Sequence, residues 1–136
     1  MAERGDLIVE TNEKATTVVV KEFSHDGVKL QYNGQGQTQG KYSGGHIETV
    51  DIHQKNDGTF DFEAKGIDST QDGELVMYSG KGKGRQTGPG MANFEGEVKF
   101  MTQSSKLGWL NSTKARVEGT TNQMTNEASF KVYQMK

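Results

Sequence analysis

Apolar and polar residues alternate with a period of two along most of this chain. In the clearest segment, from Phe94 to Phe100, apolar residues or glycine at every second position are separated by Glu95, Glu97 and Lys99. Successive side chains of a β-strand point to opposite faces of the sheet, so this pattern predicts a strand with one buried face.

The remaining strand candidates are recognised by the same alternation or by β-branched residues, three consecutive valines among them. They are the segments 5–11, 16–23, 28–39, 45–54, 59–65, 74–86, 113–121 and 128–133. Gly-containing turn signals separate several of them at His25-Asp26-Gly27, Asn56-Asp57-Gly58 and Gln71-Asp72-Gly73. Eight or nine strands joined by short turns predict an antiparallel meander, closed as a barrel or stacked as a sandwich. A barrel is favoured because it leaves no strand edge exposed.

Only residues 104–111 have helical character. Leu107, Leu110 and Asn111 stand at i, i+3 and i+4 spacing, and Ser104 or Ser105 can act as an N-cap. Since the segment is short and contains a glycine, it predicts a one- or two-turn cap across one end of the barrel, with Trp109 as its anchor.

Length and composition set the limits of the architecture and of the function. The 136 residues suit one domain, predicted as 1–136, and a hydrophobic content of 31 % leaves material for one thin core. There is no cysteine, which excludes disulfides, thiolate nucleophiles and zinc–thiolate or iron–sulfur sites. With 16 basic and 18 acidic residues mixed along the chain, no nucleic-acid partner is expected.

The sequence gives no sign of a membrane or secretory protein. No apolar run approaches the roughly 18–20 residues of a membrane helix. The first residues also lack the basic and then apolar pattern of a secretion signal. A cytoplasmic location without a membrane partner is therefore the expectation.

The glycine-rich stretches do not match nucleotide-binding motifs. Gly40-Lys41 is followed by Tyr42, and Gly80-Lys81 by Gly82, where a phosphate loop needs Ser or Thr. The spacing of the other glycines also differs from the dinucleotide fingerprint. No cofactor is expected.

Two segments repeat the pattern apolar-x-Tyr-x-Gly-x-Gly-x. One contains Tyr32 and the other Tyr78, so each tyrosine shares a strand face with two glycines. If that face is interior, the glycines leave space beside the tyrosine. The predicted ligand-binding residues are Tyr32, Tyr78, Phe94, Phe100 and Trp109, with space supplied by Gly34, Gly36, Gly80 and Gly82. The alternative is that these aromatic residues simply fill the barrel.

Titratable residues near the middle of the chain are the candidates for acid–base chemistry. His46 and His53 stand seven residues apart on one predicted strand and therefore on opposite faces. This spacing cannot bring both rings to one ion, so no metal site is predicted. His46, His53 and Glu48 remain candidates for a general acid or base.

The span 73–118 resembles small, uncharacterised prokaryotic proteins with an allene-oxide-cyclase-like barrel. The motifs that carry the resemblance are Tyr-x-Gly-x-Gly-x-Gly from Tyr78, Phe94-Glu95-Gly96 and Ser-x-Lys-Leu-x-Trp-Leu-Asn over 104–111. The resemblance implies an all-β, eight-stranded, calycin-like antiparallel barrel, often a homo-oligomer. In the plant cyclase such a barrel binds an apolar epoxide. The catalytic residues of that enzyme have no match in this sequence, so the reaction stays open.

Three functions are compatible with these observations. The first is a barrel that binds a small, partly apolar molecule in its interior. The second is an isomerase, cyclase or lyase, which needs an ionisable group pointing inward. The third is a carbohydrate-binding module, which would expose Trp109 beside polar side chains, whereas a ligand-binding barrel would bury it at the cavity mouth.

Overall fold

The computed structural model describes residues 4–135 and shows a closed eight-stranded barrel. Each strand pairs antiparallel with the next along the chain, and the last strand pairs with the first. The strands are β1 (Arg4–Ser24), β2 (Gly27–Gly40), β3 (Gly44–Lys55), β4 (Thr59–Thr70), β5 (Leu75–Gly88), β6 (Met91–Thr102), β7 (Ala115–Asn122) and β8 (Glu127–Met135). The predicted all-β antiparallel barrel is confirmed. The predicted domain 1–136 also includes residues 1–3 and 136, which lie outside the described residues.

The first strand is longer than the sequence pattern predicts. Segments 5–11 and 16–23 were expected to be separate strands, but both belong to β1, which has irregular register between Ala15 and Thr17 and between Val20 and Glu22. A β-bulge bends a strand without ending it, which explains why the alternation is interrupted while the strand continues. β1 pairs with β8 as far as Lys14, so residues 16–24 pair with β2 only. We call residues 16–24 the overhang.

The alternation predicted from the sequence determines which residues form the core. β3, β4 and β5 pair without any register irregularity, so every second residue on each strand points inward. Ala64, Val98 and Phe100 are buried on this inner face. Lys65 and Lys99 are exposed on the outer face.

One end of the barrel is closed by apolar side chains. Ile8, Val76 and Leu110 have no exposed surface there, and Leu110 belongs to the 3₁₀-helix Gly108–Ser112. The Ser104 hydroxyl accepts a hydrogen bond from the Leu107 amide. The predicted cap is therefore present as a 3₁₀ turn, and its buried anchor is Leu110 rather than Trp109. Across residues 4–135, no helix has the length and apolar character needed to cross a membrane.

Two of the glycines predicted to supply ligand space are instead needed for strand packing. Gly82 on β5 is paired directly with Gly96 on β6, and a Cβ added at Gly82 would overlap the backbone of β6. A Cβ added at Gly36 would likewise overlap the backbone of β1 at Asn12. Close approach of two backbones is a known reason for glycine inside a strand.

This packing predicts that Gly82→Ala lowers the free energy of unfolding by about 1–3 kcal/mol, because the added methyl group must displace a paired backbone. Urea unfolding followed by circular dichroism measures the change. Gly45→Ala is the matched control, since a Cβ at Gly45 has no neighbour within 4 Å. An equal effect of the two substitutions would contradict this account of Gly82.

Candidate functional site

Two of the predicted acid–base residues lie inside the barrel. His46 and Glu48 stand two residues apart on β3, and only 2 % and 7 % of their surfaces are exposed. They share the inner face because β3 pairs with β4 without a bulge. His53, seven residues from His46, falls on the outer face, paired with Lys29 and Asp61. The opposite orientation of the two histidines agrees with their spacing.

Asp68 on β4 holds the His46 ring from one side. Its Oδ1 atom lies 2.6 Å from His46 Nδ1 and accepts the Nδ1–H hydrogen bond. Tyr42 donates its hydroxyl to the other oxygen of Asp68 at 2.5 Å, and Thr38 donates to Oδ1 at 3.3 Å. These contacts fix the ring so that Nε2 faces the opposite side.

The Nε2 side of the ring faces two further carboxylates. His46 Nε2 lies 3.6 Å from Glu13 Oε1 and 3.7 Å from Glu48 Oε2. The Tyr78 ring is stacked on the imidazole with a centroid separation of 5.8 Å, and its hydroxyl donates to Glu48 Oε1 at 2.6 Å. Tyr32 donates to Glu48 Oε2 at 3.4 Å. We call Glu13, His46, Glu48 and Asp68 the buried cluster.

Two glycines allow side chains from β1 and β5 to reach Glu48. Gly34 and Gly66 are the residues paired with Glu48 on the two neighbouring strands. A Cβ at Gly34 would overlap the Glu13 carboxylate, and a Cβ at Gly66 would overlap the Tyr78 ring. Because neither glycine has a side chain, each leaves a gap through which a residue two strands away contacts Glu48.

The pKa values of the cluster are shifted by burial and by these hydrogen bonds. Burial raises the pKa of Glu13 to about 8. Burial alone would lower the pKa of His46, but the hydrogen bond to Asp68 and the nearby carboxyl groups of Glu13 and Glu48 outweigh it and raise that pKa to about 11. Burial opposes the charged form of Glu48 as well, yet the neighbouring His46 imidazole lowers its pKa. Both shifts favour a protonated imidazole beside an ionised Glu48 carboxyl group.

An apolar cavity of about 100 Å³ adjoins the cluster. Its walls include Phe62 and Phe94, whose rings meet edge to face at 5.4 Å between centroids. Its floor is polar and lies towards the closed end of the barrel, with Tyr32, Tyr42, Glu48, Asp68 and Tyr78. Gln54, Gly58, Gln86, Met91 and Gln123 surround the cavity at the other end, beside the hairpin turns.

Four of the five aromatic residues predicted to bind a ligand line this cavity. They are Tyr32, Tyr78, Phe94 and Phe100, and Gly80 lines it as well. Trp109 does not: it is 36 % exposed at the closed end, with the Lys41 amine 5.4 Å from the centre of its ring. The expectation of Trp109 at the cavity mouth is wrong, because Leu110, its neighbour in the 3₁₀ turn, takes the inward position.

Glu13, Tyr42 and Asp68 were missed at the sequence level. A signal was present for two of them. Asp68 continues the inward alternation of Phe62 and Ala64 on β4, and Glu13 continues that of Thr11 on β1. A charged residue at an inward position is informative because isolated burial of a charge is costly. Tyr42 lies between two strands, where alternation gives no prediction.

Comparisons with known proteins support the barrel fold but no particular function. No family model matches the chain, and no curated protein matches it. A conserved protein of unknown function from Rhodopseudomonas palustris is similar in structure, with a TM-score of 0.84 and 16 % identity over 100 % of this chain and 99 % of that one. A β-barrel-like protein from Acinetobacter baumannii gives a TM-score of 0.81 and 19 % identity over 96 % and 94 %.

An enzyme from Penicillium herquei is also similar, with a TM-score of 0.65 and 19 % identity over 100 % of this chain and 99 % of that chain. Identities this low establish a shared barrel only. These structures support the predicted barrel, whereas the resemblance to allene-oxide-cyclase-like proteins stays a prediction.

The hydrogen bonds to Asp68 lead to a stability prediction. Tyr42→Phe removes a donor to a buried carboxylate, so we expect a loss of about 1.5–3 kcal/mol in the free energy of unfolding. Tyr133→Phe is the matched control, because Tyr133 lies on the outer face of β8 beside Arg4 and should change stability by less than about 0.5 kcal/mol. Thermal and urea unfolding test both, and an unchanged Tyr42→Phe protein would refute the assigned role.

Proposed function

We propose that the barrel binds a small, largely apolar molecule that has one hydrogen-bonding group. The observation that carries this proposal is the cavity itself, whose aromatic walls end in a polar floor. Small-molecule sites typically combine an apolar lining with a few convergent polar groups that fix the orientation of the ligand. Eight-stranded barrels have interiors of the right size for one such ligand.

The floor indicates how the polar group of the ligand is held. Glu48 offers carboxylate oxygens, and Tyr32 and Tyr78 offer hydroxyl groups, all in the cavity lining. A ligand hydroxyl or carbonyl at this position can therefore exchange hydrogen bonds with the floor while its hydrocarbon part contacts Phe62 and Phe94. The expected ligand is a small ring or chain with an oxygen at one end.

The overhang supplies an apolar approach to the cavity. Val18 and Val20 pair directly with Tyr32 and Leu30 of β2, so they share a face with two residues of the cavity lining. Val18 is 55 % exposed and Val20 is 61 % exposed. Contiguous exposed apolar surface can mark a binding site. We assign this strip to the entry route of the ligand.

Each of the two alternative functions has a structural requirement that can be compared with the site. An isomerase, cyclase or lyase needs an ionisable group that touches the ligand, and Glu48 has that position. A carbohydrate-binding module needs an exposed aromatic platform, and Trp109 is partly exposed but has Lys41 over its ring. Ligand binding is the function we propose, because the cavity supports it without any assumed reaction.

The test is calorimetric titration of the protein with 2-naphthol, a small aromatic alcohol of the expected class. Ala64 lies in the cavity lining opposite Gly80 on the next strand. Ala64→Leu should therefore fill part of the cavity and weaken binding by about tenfold or more, since the ligand and the new side chain compete for one volume.

Lys65→Leu is the matched control, because it places the same side chain one residue further along on the outer face. It should bind 2-naphthol like the unmodified protein. Equal affinities of the Ala64→Leu and unmodified proteins, with both folded by circular dichroism, would reject the interior site.

A further inference from the structure

We propose that Glu13, His46 and Glu48 form a binding site for one divalent transition-metal cation beneath the cavity floor. The three residues come from β1 and β3 and are all buried. Neither ligand binding in the cavity nor any reaction is needed for this site. The proposal can therefore fail while the ligand-binding proposal holds, and the reverse is also true.

The geometry of the three side chains suits a metal ion. Each offers one ligand atom, and these atoms lie within 4.8 Å of one another. His46 Nε2 is 3.6 Å from Glu13 Oε1 and 3.7 Å from Glu48 Oε2. Atoms bound to one ion at about 2.1 Å in a tetrahedral arrangement stand about 3.4 Å apart, so small side-chain movements complete the site.

An unpartnered carboxylate provides a second observation. Within residues 4–135, neither oxygen of Glu13 has a hydrogen-bond donor, although the side chain has no exposed surface. Buried polar atoms are nearly always satisfied, and an exception calls for an explanation such as an ion. The carboxylate points towards His46 Nε2 and Glu48, which is where a cation would satisfy it.

Asp68 completes the arrangement from behind the ring. Metal-binding histidines commonly donate their second N–H to a carboxylate, which presents the other nitrogen to the cation, and the bound cation takes the place of the proton on that nitrogen. The contact of 2.6 Å between His46 Nδ1 and Asp68 Oδ1 has this form. Asp68 is therefore a positioning residue of the proposed site rather than a ligand.

The charges and the donor types identify the class of cation. Three carboxyl groups, those of Glu13, Glu48 and Asp68, surround a single imidazole in a buried volume. A divalent cation offsets this excess of acidic groups. One imidazole nitrogen with two carboxylate oxygens and no thiolate suits Zn²⁺ or Mn²⁺.

The sequence predicted no metal because the two histidines cannot share an ion. His53 indeed lies on the outer face and takes no part. The site proposed here needs only one histidine, and its third ligand comes from β1, which sequence spacing cannot place beside β3.

The experiment uses Zn²⁺ and Mn²⁺ as probes, added to full-length protein that has been treated with a chelator and then dialysed. Calorimetry should show one ion bound per chain, and Co²⁺ should give the visible absorption bands of a nitrogen–oxygen site. Glu13→Gln should weaken Zn²⁺ binding by at least about 100-fold, because it removes a charged ligand while keeping the shape of the side chain. Asp68→Asn should weaken it by about 10–100-fold.

Glu10→Gln is the matched control, since Glu10 lies on the same strand beside Lys131 on β8 and outside the cluster. It should bind Zn²⁺ as the unmodified protein does. Absence of stoichiometric binding of both Zn²⁺ and Mn²⁺ to the folded unmodified protein would overturn the proposal. Equal Zn²⁺ affinity of the Glu13→Gln and unmodified proteins would overturn it as well, because the bound Zn²⁺ would then lie elsewhere on the protein.

Discussion

The site depends on two contacts of Glu48, with Glu13 and with Tyr78. Both are possible because the residues between them on the neighbouring strands are glycines. Gly34 on β2 and Gly66 on β4 flank Glu48 in register, and each leaves a gap. Glu13 fills one gap from β1 and Tyr78 fills the other from β5. Any larger residue at either glycine would push Glu13 or Tyr78 away from Glu48. The glycine content of this chain therefore serves the assembly of a polar floor as well as the bending of strands.

Barrel closure places this floor next to an apolar cavity. Ile8, Val76 and Leu110 are fully buried at one end, and the cavity adjoins the cluster. Buried polar groups are tolerated when they are paired and hydrogen-bonded, and Asp68 and Glu48 are both paired in this way. Among residues 4–135 the Glu13 oxygens have no hydrogen-bond donor, and this is the reason for proposing a cation. The polar floor and the aromatic walls together define a site for a molecule that has both kinds of surface.

The sequence was sufficient for the barrel and for part of the site. Period-two alternation predicted most of the strands, but it left open whether the faces with Tyr32 and Tyr78 point inward. It also predicted that His46 and His53 face opposite ways. It could not predict that Glu13 meets Glu48, because that contact joins residues two strands apart and depends on the register of three strands at once. The reversal at Trp109 has a similar origin, since a 3₁₀ turn follows neither the strand period nor the helical one.

Native mass spectrometry of gently purified protein tests the central claim, an interior cavity that holds a small molecule, most directly. The account predicts that the unmodified protein has a native mass above its denatured mass, by a small molecule that denaturation releases. The Ala64→Leu protein should carry less of this molecule. If the unmodified and Ala64→Leu proteins both show native masses equal to their denatured masses, or retain the same small molecule to the same extent, the claim is contradicted.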